Sequence, residues 1–541
     1  MKQLYPLLFI LLIGVYAYPQ GQANIWYFGA TAGVDFNSGS PVAITDGVLS
    51  TSEGSATISD AAGNLLFYTD GIRVWTRNHV QMPNGNGLLG DPSSAQSAII
   101  VPKPGSSTRY YIFTVAAQGN AGGFCYSEVD MALNGGLGDV ITATKNTQLF
   151  TPSVEKCAAV KHANGLYIWV IAHGFNNNTY YAYQVDCNGV SAPVTSAVGQ
   201  VEGWPGWGCL TASNDGTKLA TAMRAVGFEV LDFDNATGVV SNPVFLGNAN
   251  ECYGVAFSPD NNLLYGLKIN NGTTWQWDLQ AGTPAAIVAS MVQVGTALGT
   301  GYRGGTLQLG PDGKIYFPEY GTPWLGVINN PNQLGAACGF TNNAVDLSGR
   351  SSLLGLPPFI QSYFDTADLI LYAAPTCVNS PVAFTININT AFLDSVHWNF
   401  GDAGSGVQNT SGLVAPTHTY TAAGTYTVQL IRYLGCIADT SVRDITIDTY
   451  GQSTQNVTIC PGSAYMLPGG GMAAATGTYI DTIPAAGRCD SIVTTNLTVA
   501  QAAVNAGSDA AICNGDNTQL NATGGLIYNW SPATGLSSTT I

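Results

Sequence analysis

One pattern recurs six times in the first 365 residues of this 541-residue chain. A small residue leads into an apolar run, a polar turn follows, and a second apolar run returns. The copies are SATISDAAGNLLFYTD from Ser55, SAIIVPKPGSSTRYYIFTV from Ser97, AAVKHANGLYIWVIA from Ala158, CLTASNDGTKLATAM from Cys209, GVAFSPDNNLLYGLK from Gly254 and TLQLGPDGKIYFPEY from Thr306. Their turn residues are Gly63, Gly105, Gly165, Gly216, Asn261 and Gly313, spaced by 42 to 60 positions. A third apolar run, such as FCYSEVD, YYAYQVD or FEVLDFD, follows most copies. Short β-rich runs punctuated by turn residues read as antiparallel meanders. One meander cannot bury its own apolar face, so repeats of this length stack side by side as propeller blades.

The two ends of this region supply a further blade. IWYFGATAGVDF, residues 25–36, reads as the second and third strands of a blade whose first strand is missing, and LPPFIQSYF, residues 356–364, as a first strand without successors. Joining them closes the ring and removes two exposed sheet edges. The expectation is therefore an all-β chain with a seven-bladed propeller over residues 24–365, six or eight blades being the alternatives. Composition agrees. Only 9% of residues are charged, while there are 65 Gly and 26 Pro. Helical surfaces draw on Glu, Lys and Arg, so a large helical protein is excluded. The net charge of −16, with no basic stripe, argues against a nucleic-acid partner.

The N-terminus, MKQLYPLLFILLIGVYAYPQGQA, has one early lysine, a nine-residue apolar run from Leu7 to Val15, and small residues at Val15 and Ala17. That is the plan of a signal peptide over residues 1–17, too short to span a bilayer. The expected product is an exported, monomeric chain with no membrane insertion. Eleven cysteines in such a chain imply disulfides. No CxxC or Cys/His cluster has zinc spacing. Beyond residue 340, sequence order pairs Cys377 with Cys436 and Cys460 with Cys489, leaving Cys513 alone; the pairing of the six earlier cysteines stays open.

Residues 371–448 contain VHWNFGDAGSG and PTHTYTAAGTYTVQLIRY. This segment resembles the polycystic-kidney-disease (PKD) domain, an Ig-like β-sandwich. The matching positions are Trp398, Phe400, Gly401, Asp402, His418, Tyr420, Gly424, Tyr426 and Val428; GDAG stands where GDG is usual. Residues 452–499 resemble a short β-sandwich repeat, and residues 503–541 the first half of another Ig-like module, too small to close a sandwich. The stretches NIWYFG, LSTSEGSATISD, GNLLFYTDG, FDNATGVVSNP, LGPDGKIY and LGVINNPN resemble the propeller region of large Bacteroidota surface proteins, of WD or YVTN type without the WD dipeptide. That resemblance implies export by the type IX system and gliding-motility-associated relatives.

Catalytic signatures are scarce: HExxH, GxSxG and a P-loop are all missing. Asp232-Phe-Asp234 opens like a calcium loop, but position twelve is Pro243, so a polar turn is the competing reading and calcium the one cofactor left open. One constellation stands out. If each turn joins strands one and two of its blade, the opposite ends of those strands share one face. Five of the seven glutamates map there: Glu53, Glu155, Glu202, Glu251 and Glu319. So do Arg73, Lys156, Arg224, Lys268 and Arg303, and Trp204, Trp207, Tyr302, Tyr320, Trp324 and His173. Aromatics beside paired charges suit a glycan or peptide ligand; the alternative is that the charges pair between blades or solubilise a rim. The leading function is a cell-surface binding or adhesion protein, with the propeller as recognition head on a stalk of sandwiches. The alternatives are a secreted enzyme acting on polysaccharide or peptide, and a structural surface-layer component.

Overall fold

The computed structural model describes residues 21–247, 250–501 and 503–540, so the signal-peptide segment lies outside the described residues. The described chain is almost entirely β, with one six-residue α-helix, Pro284–Ala289, and a few short 3-10 turns. It forms two compact units. The first takes in the chain up to Leu369 together with Ile386–Val396 and Ile431–Thr440; the second comprises Ile370–Thr385, His397–Leu430 and Ser441–Ile541.

The first unit has a propeller fold, built from antiparallel meanders in sequence order. Seven sheets succeed one another, opening with strands at Ile25–Phe28, Ala56–Ser59, Ala98–Pro102, Ser153–Lys161, Leu210–Ala212, Cys252–Phe257 and Gln308–Leu309. All six expected turn residues, Asn261 included, have φ between +61° and +87°. That left-handed region is open to Gly and tolerated by Asn, which is why the repeat is legible at those positions. Apolar side chains from neighbouring sheets form shared clusters. One joins Trp26 and Phe28 of the first sheet to Tyr316 and Phe317 of the last and to Leu356 and Phe359.

The ends of this region meet, but not as a ladder. The first sheet has three strands, Ile25–Phe28, Ala32–Asp35 and Val42–Ile44. Leu356–Phe364 is not a fourth: Pro357 and Pro358 lack the N–H groups that a ladder needs, and Gln361–Phe364 turns into a 3-10 helix. The contact is made by packing instead. The Trp26 and Phe359 rings lie 5.9 Å apart, and Ala30 forms an isolated antiparallel bridge with Ser351. Ile360 bridges Ala159 of the fourth sheet. The closing segment thus runs along the innermost strands.

In the second unit, Phe384, Trp398, Phe400, Tyr420, Val428 and Leu430 form a buried aromatic and aliphatic core. His418 stacks on Phe400 at 4.5 Å and lies 3.1 Å from Asp402, so the W-x-F-G-D and H-x-Y motifs meet. Residues 451–499 form a three-stranded sheet in which Gly451–Ile459 runs parallel to Ser491–Val499, flanked on the other side by Gly477–Ile483. Residues 503–540 carry only the isolated bridges Asn505–Thr523 and Asn529–Thr540.

The disulfides differ from sequence order. Cys187 pairs with Cys436, within the first unit, and Cys377 with Cys489, within the second. Cys436 sits just before the strand Ile437–Ile447, whereas Cys377 bridges Asp448 just after it. Eleven extended residues at roughly 3.4 Å each separate the two sulfurs, so Cys377 and Cys436 cannot reach one another. Cys489 instead packs against the carbonyls of Thr376 and Asp448. Cys460 and Cys513 are exposed free thiols; Cys125, Cys157, Cys209, Cys252 and Cys338 are buried ones.

Candidate functional site

Near the candidate glutamates, backbone bonds tie successive sheets together. Inter-sheet bonds run from Gly54 N–H to Ser94 C=O, from Gln96 N–H to Glu155 C=O and from Glu155 N–H to Gly206 C=O. They continue from Cys209 N–H to Tyr253 C=O, from Thr306 N–H to Leu354 C=O and from Leu354 N–H to Ser52 C=O, all between 2.8 and 3.1 Å. Glycines permit this approach. A Cβ on Gly355 would stand 1.9 Å from the Glu53 carbonyl oxygen, and one on Gly305 1.9 Å from that of Leu354. A cavity of about 10 Å³ is lined by Gln96, Cys157, Leu210, Gln308 and Phe359 among others, about the space of one water.

Four of the five glutamates are buried. Glu53 reaches across the ring to accept the Tyr253 hydroxyl at 2.7 Å. Glu155 accepts the backbone N–H groups of Gln118 at 2.9 Å and Ala95 at 3.2 Å. Glu202 holds Lys156 at 2.6 Å, and the ammonium also donates to the Ala222 carbonyl at 2.7 Å in the next sheet. Glu319 accepts the Asn343 N–H at 2.9 Å. Burial pushes the carboxyls up: Glu53 to about 7 and Glu155 to about 8, with Glu202 and Glu319 also raised. His173 is buried edge-on to Tyr180 at 4.5 Å; burial and the Lys156 ammonium hold its ring down to about 3, so it is neutral. Two members of this interior were not expected. Tyr253 carries no sequence signal as a partner for a residue 200 positions away. Glu229, also raised to about 7 by burial, lies mid-strand, where alternation alone does not reveal the Gln200 N–H that it accepts.

The remaining candidate residues are exposed or partly exposed, and only some of them meet. The Arg224 guanidinium lies 4.1 Å over the Trp207 ring and 3.4 Å from Glu251. Glu251 holds a left-handed backbone, φ +67°, a strained conformation for a non-glycine residue. Tyr302 and Tyr320 meet edge to face at 5.4 Å, and both pack with Trp207 on one apolar cluster that includes Leu354. Arg303 is exposed, its N–H bonded to the Ile269 carbonyl. Trp204 is 74% exposed. Lys268 sits opposite Cys252 in its sheet. Arg73 and Trp324 each open a strand, Arg73 exposed and Trp324 partly buried. Asp232, within the strand Gly227–Asp234, is engaged by Lys218 and Asn242, and Asp234 at its end by Thr237. Among the described residues, no three His, Cys, Asp or Glu side chains converge as a metal site.

Comparison with known proteins gives the following. A PKD domain matches residues 368–431. No curated protein matches the chain. Among solved structures, the PKD1 domain of the Vibrio cholerae metalloprotease PrtV is 26% identical over 15% of this chain and 93% of its own, with TM-score 0.13. A provisional 6-phosphogluconolactonase of Bacteroides fragilis is 12% identical over 62% of this chain and 97% of its own, with TM-score 0.40. The β-propeller domain of a Swd1 protein from Myceliophteria thermophila is 11% identical over 55% and 94%, with TM-score 0.33. A PKD domain and two disulfides are consistent with an extracellular protein. Among the described residues no helix is long and apolar enough to cross a membrane.

Proposed function

We propose that this chain is an extracellular binding or adhesion protein whose seven sheets are seven blades, and whose ligand docks on the aromatic and charged rim of the glutamate face. The carrying observation is the Trp207–Arg224–Glu251 stack beside the Tyr302–Tyr320 pair on one apolar cluster. Flat aromatic faces next to an oriented guanidinium and carboxylate suit the apolar face and hydroxyls of a glycan, or a peptide side chain. The buried glutamates support the rim from beneath. In this reading the PKD domain and the following sheets are the stalk, and the resemblance to Bacteroidota surface proteins supports type IX export.

The test is binding of the full chain to glycan and peptide arrays. The double substitution Trp207→Ala with Tyr320→Ala should weaken captured ligands by about thirtyfold, the scale of a lost aromatic hot spot. Glu251→Gln should shift selectivity among charged ligands. Binding that survives both unchanged would refute the rim.

A further inference from the structure

The strand Gly451–Ile459, GQSTQNVTI, is an open edge with none of the usual protections. Among the described residues it pairs on one side only, with Ser491–Val499, over nine residues without a register shift. It contains no charge and no proline. Edge strands normally avoid association by a bulge, a charge, a proline or brevity. The other long outer strands do so here. Gln81–Asn86, Val194–Glu202, Val239–Gly247, Val292–Thr296 and Phe340–Asp346 all have shifted registers. Gly477–Ile483, at the far edge of the same sheet, carries Asp481, and Ile437–Ile447 carries Asp439, Arg443 and Asp444.

The direction of the free groups follows from one bond. The Ala500 N–H donates to the Ile459 carbonyl, so odd-numbered residues of this strand face Ser491–Val499. In a parallel pair the alternate residues face away. Gln452, Thr454, Asn456 and Thr458 therefore present their N–H and C=O groups outward. All four side chains are exposed.

We infer that this edge pairs antiparallel with the same strand of a second copy, with Gln455 on the twofold axis. This register sets Thr454 opposite Asn456 and Gln452 opposite Thr458. Every outward donor and acceptor then finds a partner, in narrow hydrogen-bonded pairs. It sets uncharged residues against uncharged residues, so the seam adds no like-charge contact in a chain of net charge −16. A second copy also supplies a strand of identical length. The product is a continuous six-stranded sheet across an isologous interface.

Sedimentation of the full mature chain over rising concentration tests this. The expected result is a shift from one copy toward two, strengthened by salt, which screens the net charge. Thr454→Pro deletes one outward N–H and leaves the ladder to Ser491–Val499 intact; Thr454→Lys places cations across the seam. Both should abolish the dimer, while Thr454→Ala should keep it. In a Cys460→Ser, Cys513→Ser background, Gln455→Cys should crosslink on oxidation, because a non-hydrogen-bonded pair brings Cα atoms to about 4.5 Å. A single-copy mass at all concentrations, or a dimer indifferent to Thr454→Pro and Thr454→Lys, overturns the proposal.

Discussion

Lys156 and Glu202 are nearly inaccessible, and they hold each other at 2.6 Å. Such a pair contributes little net attraction once desolvation is counted, but a broken one leaves a buried charge. Lys156→Met should therefore cost about 3–5 kcal/mol in urea unfolding, and adding Glu202→Leu should recover much of that loss. The raised carboxyls make a second residue-scale prediction. Glu53, Glu155 and Glu229 bind protons in the folded state at pH values where the unfolded chain, at an ordinary 4.5, has released them. Their stabilising effect is complete below 4.5 and fades as pH rises through about 7 to 8. His173 acts oppositely: its folded value of about 3 against an ordinary 6.5 makes stability grow between those limits. Above 6.5 the His173 effect is complete while the carboxyl effect still fades, so the melting temperature of the first unit should fall from pH 6.5 to 8. Glu155→Gln should flatten that slope; a flat wild-type profile would contradict the assignment.

At the scale of elements, the closing segment Leu353–Phe359 does the work of a strand without being one. Gly54, Gly208, Gly254 and Gly305 each lie at or just before an innermost strand, and Gly355 takes the same place ahead of Leu356-Pro357-Pro358-Phe359. The close approach at Gly355 is backbone against backbone, so no side chain can yield. Gly355→Ala should destabilise the first unit by about 1–3 kcal/mol, as overpacking does, whereas Gly349→Ala, in open space, should spare the ring and report only its local turn. Denaturant midpoints of the two variants make the comparison.

For the whole first unit, the first and last sheets are held by a shared core and a few bonds, not by a ladder. Trp26 is fully buried, with Phe36, Tyr316 and Phe359 around it. It belongs at once to the opening sheet, the last sheet and the closing segment. Trp26→Ala should cost about 3–5 kcal/mol and lower the unfolding midpoint of the entire unit in a single transition. Loss confined to the first sheet, seen by hydrogen exchange, would show that closure is not cooperative.

The sequence by itself determined the all-β class, the sheet repeat, its turn residues and the PKD motif. Each rests on local chemistry: alternation, turn residues needing positive φ, and aromatics spaced along two neighbouring strands. It did not pair the charges: that Lys156 holds Glu202 and Arg224 lies beside Glu251 came only with the fold. Only the tertiary structure decided that Glu53 meets Tyr253, that Cys187 takes Cys436 and Cys377 takes Cys489, and that four glutamates lie beneath the surface while Trp204, Trp207, Arg224 and the tyrosine pair remain reachable. Those outcomes depend on which distant backbones pack together. Burial and long-range pairing are properties of the closed ring, and no window of sequence contains them.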